Sequence, residues 1–260
     1  MEVINELLGY PYYKIIQDPD RFNFSIDSVC LAHFVTLKPN AKNVIDLGCG
    51  NGPIAMYLTL RTKAHIDAVE IQEGSLDLAR RSIKLNMLED RITLYHDDIR
   101  GFAKKYQKKY DVVLSNPPFF KYNETSNINK NDYKTIARHE VMLNIFDLCK
   151  EAAALLNDAG VFALVHRPDR LTDILKALRD NRLEPKRIQF IYPKEGMCAN
   201  HVLIEAVKGR GEGGLKALPP FYVHNSDGSH TTEALEVYNQ KDETRWKDAI
   251  AITMIKQFYI

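Results

Sequence analysis

The sequence predicts an α/β fold in which helices cover both faces of a doubly wound, mostly parallel sheet with one reversed strand. Short apolar runs alternate with helix-length segments through most of the chain. A glycine-rich turn, Asp46-Leu47-Gly48-Cys49-Gly50-Asn51-Gly52, follows the first of these runs. The last two runs are joined by a Pro193-Lys194-Glu195-Gly196 turn that leaves no room for a crossover helix, so they must pair antiparallel.

Taken in order, Val29, Leu31, Ala32, Phe34 and Val35 form a helical pattern between Ser28 and Leu37, which Pro39 stops. This helix precedes the sheet and is expected to cover a ligand. Strands are expected near 43–47, 65–70, 91–96, 110–115 and 160–166. Helices near 52–61, 74–87 and 140–156 separate them, with a short connector around 99–108. Right-handed crossovers between parallel strands wind such a chain over both faces of the sheet. The closing strands are 187–192 and 201–207. No internal repeat is evident.

The glycines at 48, 50 and 52 mark a strand-to-helix turn where the backbone bends tightly and a ligand can approach without meeting Cβ atoms. The third glycine comes one residue too early for a dinucleotide fingerprint, and no Lys-Ser/Thr pair follows as in a phosphate-binding loop. Nicotinamide and nucleoside-triphosphate chemistry therefore lose ground. Glu70 ends the next strand about twenty residues on, where an acidic side chain can accept from ribose hydroxyls. Asp97 and Asp98 end the one after and suit an adenine amino group. The fourth strand ends in Asn116-Pro117-Pro118-Phe119. Asn116 offers an amide carbonyl, Pro117 a backbone carbonyl with no N–H beside it, and Phe119 a stacking face, which together suit a planar NH2 group. All four strand ends open toward one edge of a parallel sheet, where ligands bind.

In this combination the chain resembles the class I, Rossmann-like S-adenosylmethionine-dependent methyltransferases over most of residues 20–225, with Asp46–Gly52 as cofactor loop and Asn116–Phe119 as amino-methyltransferase signature. It is most similar to the bacterial tRNA adenine-N6 methyltransferases that act beside the anticodon of a valine tRNA. Phe22–Ser28, Ala137-Arg138-His139-Glu140 and Leu218–Val223 add to that likeness. The resemblance implies a seven-stranded sheet of order 3-2-1-4-5-7-6. It implies S-adenosylmethionine held by Asp46, Gly48, Gly50, Asn51, Glu70, Asp97, Asp98 and Asn116. It also implies a tRNA substrate whose adenine meets Asn116, Pro117 and Phe119. Guanine-N2 methyltransferases of ribosomal RNA and glutamine methyltransferases of release factors use similar turns, and a non-catalytic RNA-binding protein on the same fold is the alternative from another class. Only about forty residues precede the first sheet strand, which argues against the glutamine enzymes' N-terminal helical domain.

At 260 residues and 45% apolar content the chain holds one large domain with additions at its ends. The expected divisions are an N-terminal covering segment at 1–40, the sheet domain at 41–207, a basic, proline-containing extension at 208–240 and an amphipathic tail at 241–260. The net charge of +1 gives no global pull toward nucleic acid, so a basic surface must be local. Lys121, Lys134 and Arg138 in the Asn-rich stretch after Asn116-Pro117-Pro118-Phe119 are the expected phosphate contacts, the other reading being a solvated loop. Lys208 and Arg210 lie in a glycine-rich basic stretch that either tracks an RNA backbone or serves as a linker. Cys30, Cys49, Cys149 and Cys198 form no C-x-x-C pair, and the eight histidines form no metal-ligand cluster, so neither a disulfide framework nor a metal is expected. With no apolar run of membrane-spanning length, the expected location is the cytoplasm.

Overall fold

A computed structural model of the chain describes residues 1–8, 10–19, 26–107, 109–117 and 143–238. Its main sheet follows from strands that are buried on both faces. β3 (Asn43–Leu47), β4 (His65–Glu70), β5 (Ile92–His96), β6 (Tyr110–Ser115) and β7 (Leu156–His166) run parallel. β8 (Leu183–Lys194) and β9 (His201–Lys208) complete the series, and β9 is antiparallel to both β7 and β8. Across the sheet the order is β8-β9-β7-β6-β3-β4-β5, the expected order with its one reversed strand. Two short strands missed from the sequence, β10 (Lys216–Ala217) and β11 (Phe221–His224), pair parallel with β8 and bring the sheet to nine strands.

Alternation along each strand sorts side chains between two cores. Val44, Val112, Leu114, Ala163 and Leu203 face one core, shared with α1 (Ile26–Phe34), α2 (Pro53–Arg61) and Ile83 of α3 (Glu73–Leu85). Ile45, Leu47, Val113, Phe162 and Ile204 face the other, shared with Phe102 of α4 (Phe102–Tyr106) and with α5 (Ile145–Leu155) and α6 (Leu171–Asp180). Helix α6 was not expected. The spacing of its buried Ile174, Ala177 and Leu178 is the signal that would have found it.

Helix α1 is buried nearly all round, from Asp27 through Ala32 and again at Phe34. Its C-terminal end is fixed to the sheet by a buried acid, Glu205, which accepts from the Thr36 N–H at 2.7 Å, the Thr36 hydroxyl at 2.9 Å and Arg187 at 3.1 Å. The Arg187 guanidinium also donates to the Phe34 carbonyl and stacks 4.5 Å from the Phe34 ring centroid. Arg187 thereby satisfies the end of α1 as well as the acid.

The covering segment contains an unexpected hairpin, β1 (Val3–Leu7) and β2 (Tyr10–Gln17). Side chains do the work of a third strand along β2. Asn86 accepts from the Lys14 N–H and donates to the Lys14 carbonyl, and the Ser82 hydroxyl accepts from the Ile16 N–H. The extension at 208–240 is no linker in its described part. Gly213 donates to Glu184, Lys186 holds the Gly211 and Gly213 carbonyls, and Phe221, Val223, Ala234 and Tyr238 lie buried, the last two on α7 (Thr232–Tyr238). The proposed tail at 241–260 lies outside the described residues.

Candidate active site

The carboxyl ends of β3, β4, β5 and β6 meet at one edge of the sheet. Gly48 and Cys49 at the end of β3 both donate to the Val69 carbonyl, Asp97 after β5 donates to the Glu70 carbonyl, and the Ser115 hydroxyl at the end of β6 donates to the Leu47 carbonyl. The glycine turn is shaped by left-handed backbone at Gly48 (φ 79°) and Gly50 (φ 56°). A Cβ built on Gly50 would meet nothing within 4 Å, so the space above the turn is open to a ligand. Gly52 caps α2, with Pro53 at the first helical position.

Beneath this turn lies Asp46, fully buried, and neither carboxylate oxygen has a hydrogen-bond partner among the described residues. Burial, and then the charge of Glu70, push its carboxyl up to about 8. An orphaned buried acid at the floor of an open glycine turn is complementary to a ligand that brings hydrogen-bond donors or positive charge. Glu70 clamps the turn. One of its oxygens accepts from the Gly50 N–H at 2.9 Å and the other from the Gln72 N–H at 2.8 Å. Burial raises the Glu70 carboxyl, and the backbone donors of Gln72, Gly50 and Ile71 oppose the rise. Burial likewise raises the Cys49 thiol, so it is a packing residue of the turn rather than a nucleophile.

Asn51 points inward. Its side-chain amide donates to the Ile16 carbonyl at 3.1 Å, which fastens the N-terminal hairpin to the glycine turn. Asp97 and Asp98 reach the same edge but carry cationic partners from their own loop. Asp97 accepts from Lys105 at 2.5 Å and from the Tyr106 hydroxyl at 2.9 Å. Asp98 holds Arg100 through both oxygens, which keeps its carboxyl below the usual range.

Asn116 follows β6 and is partly buried, with Pro117 buried beside it. Its amide nitrogen donates to Asp27 at 3.2 Å and to the Ser28 hydroxyl at 3.0 Å, both on the first turn of α1. In the sequence Asp27 and Ser28 stand out only as part of a flank. No sequence period links them to a residue nearly ninety positions away. Phe119, Lys121, Lys134 and Arg138 lie outside the described residues.

Lys208 and Arg210 are not brought to this edge. Strand β9 runs against β7, pairing Val207 with Val161 and Val202 with His166, so Lys208 stands at the opposite end of the sheet. There its ammonium donates to the Ala153 and Leu156 carbonyls, closing the join between α5 and β7. Among the described residues no group of His, Cys, Asp and Glu is arranged to hold a metal, and no helix is long and apolar enough to cross a membrane.

A family model described as the methyltransferase small domain matches residues 24–179. The chain is similar to a tRNA1(Val) (adenine(37)-N6)-methyltransferase of Trichodesmium erythraeum, 33% identical over 160 residues that cover 60% of this chain and 65% of the relative. A protein of the same description from Parabacteroides distasonis is 25% identical over 240 residues, covering 92% of this chain and 94% of the relative. Among solved structures, a predicted O-methyltransferase from Agrobacterium tumefaciens superposes with a TM-score of 0.66 at 22% identity, over 82% of this chain and 95% of that one. A geranyl diphosphate methyltransferase, solved with sinefungin, superposes with a TM-score of 0.52 at 13% identity, over 70% of this chain and 77% of that one. These two likenesses show the fold.

Proposed function

The chain belongs to the methyltransferase small-domain family, and from that premise we propose that it methylates the exocyclic N6 of an adenine in tRNA, with S-adenosylmethionine as methyl donor. The observation that carries the reading is the pairing at one sheet edge of an orphaned Asp46 under an open glycine turn with an Asn116 whose amide nitrogen is already engaged. The names of the two tRNA-methyltransferase relatives support the choice of acceptor.

S-adenosylmethionine, when bound, supplies a methyl group activated on a sulfonium. Asp46, Gly48, Gly50 and Glu70 are the residues that would hold it, Asp46 toward its donor groups and Glu70 toward its hydroxyls. Asn51 ties the N-terminal hairpin to the turn through the Ile16 carbonyl. Asp97 keeps its proposed place beside the adenine end through the Oδ1 lone pair that the Asp98 N–H leaves free, whereas Arg100 occupies both oxygens of Asp98, which meets the adenine only by loosening that hold.

At the acceptor, the lone pair of an exocyclic adenine nitrogen is delocalised into the ring and becomes nucleophilic only as the nitrogen turns tetrahedral. Asn116 Oδ1 and the Pro117 carbonyl accept its two hydrogens and stabilise the positive charge that develops there. The methylated nitrogen is then acidic enough to release its proton to water, so no strong base is needed. Phe119 is proposed to stack on the base, and Lys121, Lys134 and Arg138 to meet phosphates. A base must leave its stack to reach such a pocket, which favours a nucleotide in a loop over one in a duplex. A tRNA substrate places the work in the cytoplasm.

The test is incubation with labelled S-adenosylmethionine and unmodified bulk tRNA, followed by digestion to nucleosides. Labelled N6-methyladenosine, lost in Asn116→Ala, is the expected result. Label absent from tRNA but present on ribosomal RNA or a release factor would move the acceptor to guanine N2 or glutamine.

A further inference from the structure

An asparagine that must present its carbonyl to a substrate has a difficulty of its own, because the two ends of the amide are nearly the same size and a half-turn exchanges them. At Asn116 the surroundings decide between the ends. The amide nitrogen has two hydrogens and faces two acceptors, Asp27 Oδ2 at 3.2 Å and Ser28 Oγ at 3.0 Å. A carboxylate can only accept, so a flipped amide would set its carbonyl oxygen against Asp27. None of the described residues donates to Asn116 Oδ1.

The two acceptors are themselves held. Asp27 and Ser28 are each 3% exposed. The second oxygen of Asp27 accepts from the Ser28 N–H at 3.0 Å, which pins the carboxylate to the first turn of α1. The far end of α1 is fixed by Arg187 and Glu205. Capping its own helix would use only one oxygen of Asp27. The other is spent on a residue 89 positions away.

We infer that Asp27 and Ser28 are positioning residues for methyl transfer: they lock the Asn116 amide with its carbonyl toward the acceptor pocket, and the Asp27 charge polarises that amide toward the reacting nitrogen. This rests on the proposed acceptor chemistry. The charge acts in the right sense, because a carboxylate behind the NH2 end makes the carbonyl end a stronger acceptor as positive charge grows on the substrate. Ser28 takes the second hydrogen and so removes the remaining freedom to rotate.

The experiment compares single-turnover methyl transfer to tRNA in wild type, Asp27→Ala, Ser28→Ala, Asn116→Ala, Asp27→Ala with Asn116→Ala, Asn116→Asp, and Asp27→Asn with Asn116→Asp. Loss of a group that orients a functional side chain lowers activity by roughly 10- to 100-fold, and that is expected for Asp27→Ala with S-adenosylmethionine affinity unchanged. Ser28→Ala should fall less. On the Asn116→Ala background Asp27→Ala should add little. Asn116→Asp sets two carboxylates face to face and should be nearly inactive. Adding Asp27→Asn restores a donor facing an acceptor, with an oxygen still presented to the substrate, and should recover about tenfold or more. A residue that only caps α1 gives no such recovery.

Wild-type transfer in Asp27→Ala, or an equal loss on both backgrounds, overturns the inference. If wild type methylates no tRNA, the acceptor reading has failed and the inference is judged without substrate, on the side-chain NH2 signals of Asn116 in nitrogen-15 NMR. Slow hydrogen exchange in wild type and faster exchange in Asp27→Ala support it. Identical signals in the two overturn it.

Discussion

Asp46→Asn should make the ligand-free protein more stable while making it a poorer binder of S-adenosylmethionine, and both halves follow from one buried carboxyl. Asp46 is fully buried without a hydrogen-bond partner among the described residues, and its carboxyl is pushed from 3.8 up to about 8 by burial and then by the charge of Glu70. Across that window the folded chain keeps a proton that the unfolded chain has released, so stability falls as pH rises and the full penalty is present above about 8. At about 1.4 kcal/mol per pH unit, the interval from about pH 5.5 to 8 costs on the order of 3 kcal/mol. For a domain of this size that is a fall in Tm of about 6–12 °C. The amide that replaces the carboxyl does not ionise, so the variant should lose this part of the pH dependence and melt above wild type at pH 8. The assay is thermal melting of both proteins in matched buffers at several pH values, followed by calorimetric titration with S-adenosylmethionine. Without the carboxylate, binding should weaken by about 10- to 100-fold, the worth of a hydrogen bond to a charged group. Wild-type binding near neutral pH should release a proton, seen as a dependence of the measured heat on the buffer's ionisation enthalpy. Parallel melting curves across the pH range, or unchanged affinity in the variant, would refute the reasoning.

Asn116→Ala should lower the rate of methyl transfer by about 100- to 1000-fold while calorimetry finds cofactor affinity little changed, since the role proposed for the amide is at the acceptor. Glu205→Ala strips Arg187 and the Thr36 N–H of their shared acceptor and should cost about 3–5 kcal/mol in denaturant unfolding, with Glu205→Gln costing less because it still accepts from Thr36. A loss under about 1 kcal/mol would mean that α1 is held by packing alone. Asn51→Ala breaks the tie between the glycine turn and Ile16 at a cost of about 1–2 kcal/mol, so amides of β1 and β2 should exchange faster in hydrogen–deuterium measurements while those of β3 and β6 do not.

The central strands were legible because each carries its own signal. Burial on both faces makes Val44-Ile45 and Val112-Val113-Leu114 read as continuous apolar runs, and the expected ranges 43–47, 65–70 and 110–115 coincide with β3, β4 and β6. The β1–β2 hairpin was not legible, because β2 is docked on the domain by side chains of Asn86, Ser82 and Asn51 from other elements, which no local pattern in the hairpin records. The extension after β9 read as basic and glycine-rich, yet its order comes from Glu184 and Lys186 on β8, which the local composition does not reveal.

By itself the sequence determined the antiparallel closing pair, the glycine turn and which strand ends carry Asp46, Glu70 and Asn116, since these depend on residue types and short spacings, while the strand order followed from the family resemblance. Tertiary structure alone decided what those groups face: Asp46 without a hydrogen-bond partner among the described residues, Asp97 and Asp98 on Lys105 and Arg100, Lys208 at the far end of the sheet, and Asn116 bonded to Asp27 and Ser28. A side chain's orientation and charge are set by what packing brings within about 3 Å of it, and at Asn116 those neighbours come from the first turn of a helix at the other end of the domain's sequence.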